Sequence, residues 1–148
     1  MITLINYLGY RKRMLRVSLI RAVRSIATAS SPTSPSPREV DMSVAKTFVD
    51  GILKQYKVAV FSKTYCPYCT KAKTALEGFK LRPDAYYVVE LDKRDDCNDI
   101  QDYLQTITGA RSVPRVFING KFFGGGDDTA AGAQNGLLEK KLAEAGAI

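Results

Sequence analysis

The chain has no histidine and only three cysteines, Cys66, Cys69 and Cys97, in 148 residues. Without histidine, the imidazole that usually helps a cysteine lose its proton is missing. Three cysteines are too few for a disulfide-stapled secreted scaffold, and the number is odd. A reducing compartment is the expected setting, where a close cysteine pair is catalytic or metal-binding rather than structural. A tetrahedral zinc site within one chain is short of ligands, since only Cys97 remains beside the pair. The sequence also lacks the roughly 20 mostly apolar residues that a membrane-spanning helix needs.

Residues 1–38 contain no acidic residue. They hold seven of the 22 basic ones, so the remainder carries 15 basic against 15 acidic residues and is formally neutral. The net charge of +7 therefore belongs to the leader. A phosphate-binding stripe should lie on the folded body, so no nucleic-acid partner is expected.

The leader ends in Ser-Pro-Thr-Ser-Pro-Ser-Pro (31–37), which cannot pack a core. Before it, Leu15, Ser18, Leu19, Ala22 and Ile26 recur at spacings of three and four, with Arg16 and Arg24 elsewhere on the wheel. A cationic amphipathic helix of this kind reads as a mitochondrial presequence. A plastid address and a basic arm with no address are the alternatives. Charges at 11, 12, 13, 16, 21 and 24 interrupt every apolar run that a secretory signal would need. Cleavage is expected near Ser25 to Ser31, and translation from Met42 would give a cytosolic form. The domain division is thus 1–38, presequence and linker, and 39–148, folded body.

In the body, Ser43 is the expected cap of a helix over 43–55, with Val44, Phe48, Ile52 and Leu53 buried. Lys57 to Ser62 reads as a strand, followed by a helix that starts at the cysteine pair and buries Ala72, Ala75, Leu76 and Phe79. Tyr86 to Leu91 is a second strand. Ile100, Tyr103, Leu104 and Ile107 mark a helix ended by Gly109. Asn119-Gly120 joins strands 115–118 and 121–123, because a type I′ turn needs positive φ at both positions. A last helical region buries Leu138, Leu142 and Ala145. The right-handed βαβ crossover and the hairpin together predict an α/β fold, a four-stranded mixed sheet with helices on both faces.

Cys66-Pro67-Tyr68-Cys69 falls at the strand-to-helix junction. There the unpaired amides and dipole of a helix N-terminus favour an anion, and Pro67 suits the first turn because no N–H is needed. Lys63 adds a positive charge nearby. Such surroundings bring a thiol from about 8.5 to about 3.5–7.5, so histidine is dispensable. Cys66 is the expected nucleophile. Cys69, three positions along and more buried, is the resolving thiol. A structural disulfide, or an iron–sulfur cluster shared by two copies of Cys66 with external thiols, are the competing uses.

Cys66-Pro67-Tyr68-Cys69, Ser112-Val113-Pro114 and Gly124-Gly125-Gly126-Asp127-Asp128, in this order, resemble a dithiol glutaredoxin over about residues 43–148. The resemblance implies a thioredoxin fold, glutathione as co-substrate, and the reduction of glutathionylated and disulfide-bonded proteins by a monomer. It further implies a glutathione site. Lys63 and Gln101 would hold the glycyl carboxylate, with Arg111 as a further candidate, and Tyr68 would wall the groove. Ser112 stands where threonine is commoner. Val113, before a cis-proline at Pro114, would offer its backbone to the cysteinyl unit. Gly126 and Asp127 would receive the γ-glutamyl carboxylate and ammonium. Lys63 and Gln101 also read as ordinary surface residues, Asp127 as a helix cap, and Cys97, amid Asp95, Asp96 and Asp99, as a spare thiol.

Overall fold

The computed structural model describes residues 34–148. Its centre is Val58–Ser62 (β1), buried along its whole length. Tyr86–Glu90 (β2) flanks β1 on one side and Arg115–Ile118 (β3) on the other, with Lys121–Gly124 (β4) outermost, in the order β2-β1-β3-β4. The β1–β2 pair is parallel, Val58 opposite Tyr86, and the β1–β3 and β3–β4 pairs are antiparallel. Asn119 and Gly120 close the β3–β4 hairpin with φ of 50° and 73°. This is the positive-φ turn that the dipeptide favours.

Alternation along the strands divides the core into two layers. Val58, Val60, Val116 and Ile118 pack against Ala72 and Leu76 of Pro67–Glu77 (α2) and against Leu138 and Leu142 of Leu137–Ala145 (α5). On the opposite face Ala59, Phe61 and Phe117 meet Ala45 and Val49 of Pro37–Gln55 (α1) and Ile100 and Leu104 of Cys97–Thr108 (α3). Asp50 fastens α1 to α3, accepting from the Tyr103 hydroxyl at 2.9 Å and from Lys46 Nζ at 2.6 Å. This is the thioredoxin-like α/β architecture, a mixed four-stranded sheet with helices on both faces. No helix among the described residues is long and apolar enough to cross a membrane.

The first helix departs from the sequence reading. It starts at Pro37, not near Ser43, because Ser36 and Glu39 form a capping box: the Ser36 N–H donates to Glu39 and the Glu39 N–H to Ser36 Oγ. Pro37 takes the first helical position, where its missing N–H costs nothing. Ser43 is interior to the helix and accepts from Thr47 Oγ1 through its carbonyl. The buried stripe is also rotated. Ala45 and Val49 meet the sheet, Phe48, Ile52 and Leu53 flank them half-buried, and Val44 is 57% exposed. In α3, Ile107 is exposed while Ile100, Tyr103 and Leu104 are buried. The last helical region is two helices, Gly126–Gln134 (α4) and α5, separated at Gly136, whose φ is 79°. The amphipathic leader helix expected over 15–26 lies outside the described residues.

The two cap assignments make different predictions. Ser36→Ala is expected to speed amide exchange over 38–41 by about fivefold, the equivalent of roughly 1 kcal/mol, while Ser43→Ala leaves it unchanged. Hydrogen exchange followed by NMR checks both.

Candidate active site

Strand β1 ends at Ser62, and the chain turns through Lys63, Thr64 and Tyr65 before α2 begins. Asp92, in the short 3-10 turn after β2, holds this connection by accepting from the Thr64 N–H at 3.0 Å and from the Thr64 hydroxyl. Cys66 is the N-cap of α2, with Pro67 at its first helical position. Its Sγ occupies the place of a capping oxygen and accepts from the Cys69 N–H at 3.4 Å. From the other side, the Cys66 thiol lies 3.7 Å from the Val113 carbonyl oxygen, to which it donates. The sulfur thus sits between an amide of the helix start and the backbone of the Ser-Val-Pro loop.

All three thiols are free. They differ in surroundings. Cys66 is half-buried, whereas Cys69 is fully buried, and that burial pushes its thiol up to about 11. Cys97, at the start of α3, is half-buried and donates to Gln101 Oε1 at 3.4 Å. It faces the Ser-Val-Pro loop through Gln101 rather than standing alone among the aspartates.

The other residues singled out from the sequence fall around the sulfur in two groups. On the α3 side, Gln101 is 9% exposed and donates through Nε2 to the Arg111 carbonyl at 2.8 Å. Its amide therefore braces the loop rather than lying on the surface. Arg111 turns back to Asp102 at 2.6 Å. Ser112 is exposed, and the Val113–Pro114 bond is cis. Lys63 is half-buried and makes no ion pair among the described residues. On the other side, Tyr68 is 56% exposed and Gly126 opens α4 beside it. Asp127 projects from the first turn of α4 and pairs with Lys71 of α2 at 2.6 Å. Asp127 is not the cap of α4: the cap position is Gly125, whose N–H is taken by Asp128 at 2.9 Å.

A profile of the glutaredoxin family matches residues 58–123. The chain is 43% identical to glutaredoxin-C4 of Arabidopsis thaliana, over 90% of this chain and 88% of the relative. Among solved structures it resembles oxidized glutaredoxin 2 from Chlamydomonas reinhardtii, at 58% identity and a TM-score of 0.68, over 72% of this chain and 98% of that one. It also resembles the buckwheat glutaredoxin–glutathione complex, at 37% identity and a TM-score of 0.69, over 77% and 99%. The chain belongs to the glutaredoxin family.

Three residues of this glutaredoxin escaped the sequence reading: Lys71, Asp92 and Arg115. Two of them act across a long sequence gap, Lys71 on Asp127 and Asp92 on Thr64. Arg115 is buried beneath the Ser-Val-Pro loop. For Asp92 and Lys71 no periodic or motif signal exists. Arg115 carried one: a charge opening an otherwise apolar strand.

Gly126 also gains a reason. A Cβ there would lie 2.5 Å from the Tyr68 carbonyl oxygen and 3.0 Å from the Tyr68 Cβ. Those contacts are too short for any side chain, so α4 approaches α2 as closely as only glycine allows. Gly126→Ala is expected to destabilise the fold by about 1–3 kcal/mol, the usual effect of overpacking, read as a lower denaturation midpoint in urea. The thiols supply a second prediction. Because the Cys69 thiol is pushed up to about 11, brief iodoacetamide treatment at pH 8 should label Cys66 and spare Cys69, with Cys69 labelling rising steeply only as pH approaches 11. The same sign makes stability fall between about pH 9 and 11, where the unfolded thiol ionises before the folded one. Peptide mapping that finds Cys69 modified at pH 8 as fast as Cys66 would contradict the burial argument.

Proposed function

We propose that the protein is a glutathione-dependent thiol–disulfide oxidoreductase working through Cys66-Pro67-Tyr68-Cys69. The observation that carries this is the position of Cys66 Sγ, between the Cys69 N–H and the Val113 carbonyl. An amide donor at the helix start stabilises negative charge on the sulfur. The Val113 edge lies where a second sulfur joined to Cys66 would arrive, and its backbone N–H and C=O suit the cysteinyl unit of glutathione.

In the first step the Cys66 thiolate attacks the glutathione sulfur of a protein–glutathione mixed disulfide. The bond between the protein sulfur and the glutathione sulfur breaks, the protein thiolate leaves and takes a proton, and glutathione remains on Cys66. A free glutathione thiolate then attacks that bound sulfur. Cys66 is expelled as thiolate and glutathione disulfide departs, so the substrate's two-electron reduction is matched by one glutathione–glutathione disulfide bond. Protein disulfides follow the other branch: Cys66 attacks the substrate disulfide and expels one substrate thiolate, Cys69 then attacks the Cys66 sulfur of that mixed disulfide and expels the other, and two glutathiones later reduce the internal disulfide and leave as glutathione disulfide. Burial pushes the Cys69 thiol up, which disfavours the thiolate that would displace bound glutathione and leaves that step to the external thiol.

The groove reading assigns Lys63 to the glycyl carboxylate, with Gln101 bracing the loop beside it. Tyr68 forms a wall, Ser112-Val113-Pro114 the cysteinyl edge, and the Gly126 N–H and Asp127 carboxylate the γ-glutamyl pocket. The Lys71–Asp127 pair is exposed, and such pairs contribute about 0–1 kcal/mol. A ligand ammonium can thus take the place of Lys71 at little cost. The protein acts as a monomer on glutathionylated and disulfide-bonded proteins. Residues 1–38 address it to the mitochondrion; a fluorescent fusion of this segment that stays cytosolic would dismiss that address.

The division of labour between the thiols is tested by two variants. Cys66→Ser should abolish release of glutathione from a glutathionylated peptide, with at least about a 10³-fold loss, as expected when a nucleophile is removed. Cys69→Ser should keep that reaction and lose protein-disulfide reduction. Equal loss in both variants sinks the mechanism.

A further inference from the structure

Arg115 is the first residue of β3, next to Pro114, and only 8% exposed. No carboxylate pairs with it among the described residues. A charge placed this deep without an ion-pair partner is expensive unless its donors are used. Here they go to the site. Nε donates to the Ala110 carbonyl at 3.2 Å and Nη2 to Ser112 Oγ at 2.9 Å. The guanidinium carbon lies 5.3 Å from the centre of the Phe122 ring on β4. Nη1 faces Gly125: a Cβ built on that glycine would lie 3.9 Å from Nη1 and 3.9 Å from the Pro114 carbonyl oxygen. Asp128, which accepts from the Gly125 N–H at 2.9 Å, supplies the nearest balancing charge, and its field opposes the lowering of the Arg115 pKa by desolvation.

One planar fork therefore holds the loop that carries Val113, lies over Phe122 of the strand that leads into the glycines, and has its Nη1 among the side-chain atoms nearest the glycine that caps α4. These are the two halves of the groove, the cysteinyl edge and the γ-glutamyl pocket. They are separated in sequence by the whole β3–β4 hairpin. We propose that Arg115 is a positioning residue that fixes the spacing between the Val113 edge and the Gly126–Asp127 pocket, and so sets the protein's preference for a glutathionyl over a smaller disulfide-bonded group. This rests on the groove reading above and adds to it the residue that holds the groove to length. Arginine suits the task because its donors diverge in a fixed plane. Lysine, a single point charge on a flexible stem, cannot hold Ala110 and Ser112 together.

The test compares two substrates, the same peptide carrying either glutathione or cysteine in disulfide linkage, with dithiothreitol as the final reductant for both. Cysteine lacks the γ-glutamyl and glycyl units, so it needs Cys66 but not a groove of the right length. In Arg115→Gln, kcat/KM for the glutathionylated peptide should fall by about tenfold or more, the scale of losing a charged hydrogen-bond network. The cysteinylated peptide should stay within about twofold of the unsubstituted protein. Arg115→Lys should fall between, and it is the variant to measure if Arg115→Gln does not fold. A folded variant that loses both substrates equally, or neither, overturns the proposal. An unsubstituted protein with no preference for the glutathionylated peptide overturns the groove reading itself, and this inference with it.

Discussion

The rest of the structure depends on where one helix begins. The α2 helix starts at Cys66 and nowhere else, because β1 ends at Ser62, Asp92 grips Thr64, and Pro67 can stand only in the first turn. A helix start leaves several amides unpaired, and ordinarily a serine, threonine or aspartate oxygen takes one. Here the sulfur of Cys66 takes it. In the proposed mechanism the cap and the nucleophile are the same atom, an arrangement that would let the chain manage without imidazole. Any change that moved the start of α2 by one residue would cost the helix its cap and the sulfur its donor together.

Burial then makes the two thiols unequal. Cys69 lies on the face of α2 that packs with Ala72 and Leu76 against the sheet. Its desolvation opposes ionisation far more than the local hydrogen bonds favour it. Cys66, one turn earlier, stays half in solvent. Two chemically identical groups separated by Pro67 and Tyr68 acquire distinct surroundings from packing alone. That packing is tight: Gly126 brings α4 onto the Tyr68 backbone and closes the space over α2.

The parts of this arrangement legible in the sequence are those written in local pattern. The Asn119-Gly120 turn, the apolar β1 and the proline-stiffened cysteine pair each state their geometry within a few residues, and the structure has them where expected. The start of α1 was legible too, in Ser36-Pro37-Arg38-Glu39, but the surrounding Ser/Pro composition reads as linker and hides the capping box. Val44 was assigned to the core because it is apolar and correctly spaced; the sheet instead accepts the smaller Ala45 one position on, and the stripe turns with it. Helix propensity carried the last region through as one element, whereas the left-handed Gly136 divides it. Lys71 and Asp92 act on partners fixed by tertiary contact, and no periodicity encodes that.

The proposed groove's two ionic features differ in kind, and the difference suits the tasks proposed for them. Lys71 and Asp127 meet in solvent, where an exposed pair contributes little and each side chain is free to change partners. That is appropriate where a ligand's own ammonium must enter. Arg115 is buried and spends its donors on a backbone carbonyl and a hydroxyl, neither of which can leave. Each contact is charge-assisted, and a charged donor makes the stronger hydrogen bond. In the groove proposed above, exchangeable charge would thus lie where the ligand's charge arrives, and fixed charge behind the backbone that must not move. Reversing the two, with a buried Asp127 or an exposed Arg115, would make such a groove too stiff to accept a zwitterion and too loose to measure its length.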